Sequence, residues 1–145
     1  MGSINYGRVI AGAIVAAIFY FISDGMIHGM LLGHEHEAAI REAGKPLTHD
    51  PSAYLYFAAF DLGKGLVVLL IYAASRPRFG PGPSTAIWAG LLAWFAIEAL
   101  PQIAMMPFPF YEKSFYVRWI ALEIVPMVVG AILGAWVYKE PAAAT

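Results

Sequence analysis

The chain has 145 residues, of which 60% are hydrophobic and 13% are charged, and its formal net charge is −1. The mean hydropathy of +0.65 is too high for an ordinary soluble domain. No basic stripe or motif indicates nucleic-acid binding. The absence of cysteine excludes disulfides, thiolate catalysis and cysteine-ligated zinc or iron–sulfur centres. These properties predict a single all-α membrane domain over residues 1–145.

Four apolar segments predict four transmembrane helices, at about 6–43, 52–75, 84–106 and 112–138. Each segment approaches or exceeds the roughly 20 residues that cross about 30 Å of hydrocarbon. None has the polar stripe of a soluble bundle helix. The connections are short, which favours an up-down four-helix bundle, and the first helix is expected to extend beyond the membrane.

Each predicted helix carries one acidic residue, and all four lie about eight or nine residues from the same membrane face. These residues are Asp24, Asp61, Glu98 and Glu123. At 1.5 Å per helical residue, this corresponds to a depth of roughly 12–14 Å. An ionisable group in hydrocarbon is costly, so four at one depth predict a functional site.

Further polar residues accompany these acids at helical spacing. His28 follows Asp24 by four, Gln102 follows Glu98 by four, and Lys64 follows Asp61 by three, so each pair shares a helical face. Arg118 precedes Glu123 by five. The predicted pocket, which would bind a proton, a cation or a small polar ligand, comprises Asp24, His28, Asp61, Lys64, Glu98, Gln102, Arg118 and Glu123.

Two of the acidic residues are followed by proline three positions later. Pro101 follows Glu98, and Pro126 follows Glu123. Because proline has no N–H to donate, it leaves the carbonyl four residues earlier without its helical partner. At membrane depth such a carbonyl must face protein, water or a ligand. The prolines therefore predict either helix kinks alone or carbonyls that contribute to the pocket.

Charge limits what the predicted pocket can contain. Four carboxylates against Lys64 and Arg118 would leave two negative charges in excess, and unpaired buried charge costs several kcal/mol per ion. Protons, a divalent cation or a structural network with protonated His28 would each resolve the excess. The candidate metal ligands are Asp24, His28, Asp61, Glu98 and Glu123, which would suit iron, manganese or zinc. Their spacing differs from the Glu-x-x-His pairs of di-iron bundles, and Lys64 would compete with a metal.

No catalytic signature is present, so whether the chain is an enzyme stays open. The leading hypothesis is a small membrane protein with a polar pocket. A second is a structural or accessory subunit, because two runs of small residues could let helices approach closely. These runs are Gly25, Gly29 and Gly33 in the first helix, and Gly130 and Gly134 in the fourth. A third is a metal-dependent membrane enzyme acting on a lipid or quinone. Expected partners are the bilayer and either further copies of the chain or other subunits.

The distribution of Lys and Arg weakly favours cytoplasmic termini in a multi-pass protein of a prokaryotic cell membrane. The carboxylates would then lie in the outer half of the bilayer. Outside it, His34, His36 and His49 are expected on a solvated polar surface, or alternatively in weak metal capture or pH sensing. His34 and His36 are two apart and should not share a helical face.

Overall fold

The computed structural model describes residues 4–47 and 50–139, so that His49 lies outside the described residues. The described chain is predominantly helical and has no strand. The α-helices are α1 (Tyr6–Met26), α2 (Gly33–Glu42), α3 (Ala53–Phe79), α4 (Pro83–Trp94), α5 (Leu100–Met105), α6 (Lys113–Leu122) and α7 (Ile124–Val137). Wider π-helical turns occur at Ile27–Leu31 and Phe95–Ala99.

Four stretches of the described chain are long and apolar enough to cross a membrane. They run over Tyr6–Leu31, Ala53–Phe79, Pro83–Met105 and Lys113–Val137, and are called here the first to fourth spans. This confirms the all-α fold with four membrane-length helices, as expected of a four-helix bundle. The first span presents an isoleucine outward at every fourth position, each about half exposed: Ile10, Ile14, Ile18 and Ile22. Such an apolar outer surface fits a multi-pass membrane protein.

Glycine and alanine bring the spans into backbone contact over one half of the bundle. A Cβ atom added to Gly12 would lie 2.6 Å from the carbonyl oxygen of Gly134, and one added to Gly90 would lie 2.8 Å from that of Met127. Buried alanines continue these contacts: Ala13, Ala16, Ala86, Ala89, Ala93, Ala131 and Ala135. We call this part the small-residue half. Its close contacts fix the rotation of each helix against its neighbours.

The two ends of the bundle are distinguished by what caps them. At the terminal face, the backbone N–H of Asn5 donates to the Tyr138 hydroxyl (3.3 Å), and that of Gly82 donates to the Tyr72 hydroxyl (3.2 Å). At the opposite end, the α2 face, α2 lies beside the connection between the third and fourth spans. The spans alternate in direction between these faces, as an up-down bundle requires.

Two predicted helix boundaries differ from the structure. The first helix is not continuous to residue 43, because after its π turn the chain bends at Leu32 (φ −113°, ψ 4°) before α2 begins. The second was predicted to end at residue 75, whereas α3 continues to Phe79 with Pro77 in its last turns. The chain reverses only at Gly80 and Gly82, whose φ angles of 81° and 134° suit glycine.

Candidate functional site

The ammonium of Lys64 lies at the centre of the four acidic side chains, one from each span. Its Nζ atom is 2.6 Å from Asp24 Oδ2, 3.1 Å from Glu98 Oε1, 3.6 Å from Asp61 Oδ1 and 3.9 Å from Glu123 Oε2. The Lys64 side chain is 1% exposed. We call these five residues the carboxylate–ammonium cluster. The common depth read from the sequence therefore corresponds to side chains that meet.

The third span, Pro83–Met105, supplies Glu98 from its π turn, Phe95–Ala99. Pro101 follows within α5, and its missing N–H interrupts the regular hydrogen bonding there. A π turn adds a residue to one turn and so rotates the side chains after it. Glu98 is 3% exposed, and its Oε2 accepts a hydrogen bond from Trp119 Nε1 at 3.2 Å. The local irregularity thus directs this carboxylate into the bundle.

The fourth span, Lys113–Val137, is broken at Glu123, between α6 and α7. Glu123 has φ −76° and ψ −11°, Pro126 lies three residues later, and the Glu123 side chain is fully buried. Beside the break, the Ile120 carbonyl accepts a hydrogen bond from Trp94 Nε1 at 2.8 Å. An indole from the third span therefore satisfies a backbone oxygen next to the irregular turn, as burial in an apolar medium demands.

Each carboxylate of the cluster retains one buried oxygen without a hydrogen-bond partner among the described residues. These oxygens are Asp24 Oδ1, Asp61 Oδ1, Glu98 Oε1 and Glu123 Oε2. Glu98 Oε1 lies 3.1 Å from Lys64 Nζ but without hydrogen-bond alignment, so that contact is an ion pair only. With every acid ionised, four carboxylates facing one ammonium would carry three uncompensated negative charges. Buried groups in this state require protons or another cation.

A chain of hydrogen bonds leads from the cluster to the α2 face. His28 Nε2 lies 3.1 Å from Glu123 Oε1, and His28 Nδ1 lies 3.3 Å from His36 Nε2. His36 Nδ1 lies 3.0 Å from the Tyr111 hydroxyl. We call Tyr111, His36, His28 and Glu123 the histidine chain. Both nitrogens of each imidazole are engaged in it.

His36 is the residue of this site whose place the sequence analysis missed. It was expected on a solvated surface, but it is half-buried, with its ring centroid 5.2 Å from that of Phe115 and 5.9 Å from that of Trp119. His34 is exposed, so the two histidines do not share a face, as expected. His28 lies in the π turn Ile27–Leu31 and His36 lies in α2, so the π turn and the bend at Leu32 between them together bring the two rings into contact.

Two predicted pocket residues lie apart from the cluster. Arg118 forms an ion pair with Glu35 of α2, at the α2 face. Five helical residues correspond to a rotation of about 140°, which turns Arg118 away from the direction of Glu123. Gln102 is half-buried, and in the described ranges no hydrogen bond joins it to the cluster. The cluster consequently has one cation rather than the two expected.

The groups at the α2 face have altered proton affinities. Burial, and then the neighbouring His28, lower the pKa of His36 below its ordinary value of 6.5. A backbone hydrogen bond to Glu35, and then its bond with Arg118, lower the pKa of Glu35 below 4.5. Near neutral pH, His36 is therefore a neutral imidazole beside an ionised but paired carboxylate.

The donor set does not assemble a metal centre. Within residues 4–47 and 50–139, no group of three or more His, Asp or Glu side chains is arranged to hold a metal ion. The Lys64 ammonium takes the position between the carboxylates that a cation would need. A metal at Asp24, His28, Asp61, Glu98 and Glu123 therefore does not fit this arrangement.

No protein-family model matches the chain, and no curated protein or solved structure is significantly similar to it.

Proposed function

We propose that the protein is a small integral membrane protein that binds protons within the membrane, at the carboxylate–ammonium cluster. The observation that carries this proposal is that each of the four carboxylates around the buried Lys64 ammonium has one oxygen without a hydrogen-bond partner among the described residues. Protonated carboxyl groups would donate hydrogen bonds to neighbouring carboxyl oxygens and remove the uncompensated charge. Three protons on four carboxylates, with Lys64 charged, would make the cluster neutral.

Protons fit the site better than the other ligands considered. A metal or organic cation would have to displace the Lys64 ammonium, which is 2.6 Å from Asp24 Oδ2. A proton needs no cavity, because it occupies a hydrogen bond between atoms already in place.

Infrared spectroscopy of the protein in lipid vesicles tests this function through the carbonyl band of protonated carboxylic acids. We expect the band at neutral pH. Asp61→Asn and Glu98→Gln should each reduce it, because removing one carboxylate lowers by one the number of protons needed for neutrality. The matched control is Glu37→Gln, since the Glu37 side chain is 58% exposed and lies outside the cluster, so that its replacement should leave the band unchanged. Absence of the band from the unaltered protein, with its fold intact, would refute the proposal.

A second candidate is an accessory subunit, in which the cluster is a structural network. It is favoured by Gly25 and Gly29, which are exposed on the first span and would have no atom within 4 Å of an added Cβ. Gly130 and Gly134 differ, because Tyr20, Leu69 and Gly12 occupy the space beside them. Small residues at a lipid-facing position permit close approach of another helix. A stoichiometric partner retained in mild detergent would support this function, and a stable homo-oligomer would count against it.

A further inference from the structure

We propose that the histidine chain conducts protons between the α2 face and Glu123 of the carboxylate–ammonium cluster. The proposal rests on the proposed proton-binding function and adds a route and a direction of access to it. Three contacts of 3.0, 3.3 and 3.1 Å join Tyr111, His36, His28 and Glu123 in series without a gap. The contacts of 3.0 and 3.1 Å lie within the usual range of hydrogen bonds that transfer protons, and the 3.3 Å between the two histidines is slightly longer.

Two arrangements of hydrogens satisfy every contact of the chain, and they differ in that every donor and acceptor is exchanged; the one that starts an inward transfer is as follows. The Tyr111 hydroxyl donates to His36 Nδ1, His36 Nε2–H donates to His28 Nδ1, and His28 Nε2–H donates to Glu123 Oε1. A neutral imidazole has one donor and one acceptor nitrogen, so each ring can both receive and pass on a proton. In this arrangement all three bonds point from the α2 face toward the cluster.

The transfer balances along this arrangement. A hydronium ion at the α2 face gives its proton to the Tyr111 oxygen and leaves as water, while the hydroxyl proton of Tyr111 moves to His36 Nδ1. The proton on His36 Nε2 moves to His28 Nδ1, and the proton on His28 Nε2 moves to Glu123 Oε1. The Glu123 carboxylate becomes neutral, both imidazoles end in the opposite tautomer, and the cluster carries one positive charge until a proton leaves by the reverse transfers. Reorientation of the rings and the hydroxyl restores the starting arrangement.

The surroundings of the histidine chain separate it from the other polar groups at the α2 face. Trp119 lies edge-on to His28 at 4.3 Å between ring centroids, and Phe115 lies edge-on to His36 at 5.2 Å. These rings cover the sides of the imidazoles with apolar surface. The charged and titratable groups nearest the chain are Asp24, Lys64 and Glu98 in the cluster, and Glu35, Tyr116 and Arg118 at the α2 face.

Of these groups, Glu35 and Arg118 are paired with each other, which leaves His36 bonded only within the chain. Burial, followed by the neighbouring His28, lowers the pKa of His36, so that it is neutral near pH 7 and can accept an arriving proton. The proposed route is based on the three hydrogen-bond contacts, and a neutral His36 imidazole is consistent with it.

The rate at which the cluster exchanges its protons tests the route. After vesicles are transferred into heavy water, the infrared band of the protonated carboxyl groups should shift as deuterium replaces hydrogen. His36→Phe keeps an aromatic ring against Phe115 and Trp119 but removes both nitrogens. We expect exchange to slow by about 100-fold with the band unchanged in size, since loss of a positioned proton-transfer group typically has an effect of this order. His34→Phe, on the same helix but exposed, is the matched control and should exchange at the rate of the unaltered protein.

Two further measurements distinguish a proton route from a structural role. Tyr111→Phe removes a single oxygen and should slow exchange while leaving the aromatic packing in place. Imidazole in the buffer should accelerate exchange in His36→Gly, because it can occupy the space of the missing ring. Unchanged exchange rates in both His36→Phe and Tyr111→Phe would overturn the route while leaving the proton-binding function standing. Absence of the band itself would refute that function, so the two failures are distinct.

Discussion

The two halves of the bundle are built by opposite means. In the small-residue half, regular α-helices meet backbone to backbone, as at Gly12 with Gly134. In the half that contains the cluster and the α2 face, called here the polar half, three of the four spans depart from α-helical geometry. The departures are the π turns at Ile27–Leu31 and Phe95–Ala99 and the break at Glu123. Close packing holds the helices together in one half, and irregular backbone geometry positions polar side chains in the other.

One span of the polar half keeps regular α-helical geometry. The second span is one uninterrupted α-helix, Ala53–Phe79, and it supplies the central cation. Lys64 Nζ lies 5.1 Å from the centroid of the Tyr20 ring and 5.6 Å from that of Phe60, so aromatic faces support the ammonium as well as carboxylates. This regular helix holds both the cation and Asp61, whereas the π turn at Phe95–Ala99 and the break between α6 and α7 place Glu98 and Glu123 against the cation.

The largest expected loss of stability follows from replacing the cation of the polar half, Lys64. Lys64→Met keeps an unbranched side chain but removes the ammonium that, within residues 4–47 and 50–139, alone faces all four carboxylates. We expect the free energy of unfolding in detergent to fall by about 3–5 kcal/mol at neutral pH, as for removal of one partner of a buried ion pair. Adding Glu98→Gln should recover part of the loss, because it removes one of the carboxylates left without a cation. Wild-type stability of Lys64→Met would mean that the ammonium compensates no charge.

An intermediate effect is expected where the small-residue packing begins, one residue further along the same helix. A Cβ on Gly65 would overlap the Ala13 carbonyl, whereas a Cβ on Gly63 would meet no atom within 4 Å. Backbone cannot move aside as a flexible side chain can, so Gly65→Ala should cost about 1–3 kcal/mol of unfolding free energy. Gly63→Ala is the matched control and should be neutral or slightly stabilising. Equal stabilities of the two variants would contradict the close backbone contact.

Sequence reasoning predicted the fold and the common depth of the four acids, because both follow from segment length and from depth counted in helical residues. Whether their side chains meet depends on helix rotation, which the sequence left open. The proximity of Asp61 and Lys64 could also be predicted, because residues three apart share a face in the regular helix α3. The histidine chain could not be predicted, because it depends on a π turn and on a bend at Leu32 that interrupt the helix between His28 and His36. Reasoning from sequence periodicity assumes a constant number of residues per helical turn. It therefore failed in the polar half, where the backbone departs from regular α-helical geometry.

The smallest expected effect concerns α2, which holds His36 and Glu35 against the bundle. Both groups have a lowered pKa in the folded protein, so the unfolded or undocked segment binds protons more readily. The stabilisation of docked α2 is therefore complete above pH 6.5, the ordinary value for His36, and declines as the pH falls from there through the folded pKa of His36. A second decline follows below pH 4.5, the ordinary value for Glu35.

Amide hydrogen exchange of α2, corrected for the intrinsic pH dependence and compared with α7, measures this docking. His36→Phe should abolish the decline that begins at pH 6.5, and Glu35→Gln should abolish the one at lower pH. The small-residue half should keep its protection throughout, because its contacts involve no titratable side chain. If α7 lost protection together with α2, the two halves would form one cooperative unit, and their different construction would then have no counterpart in stability.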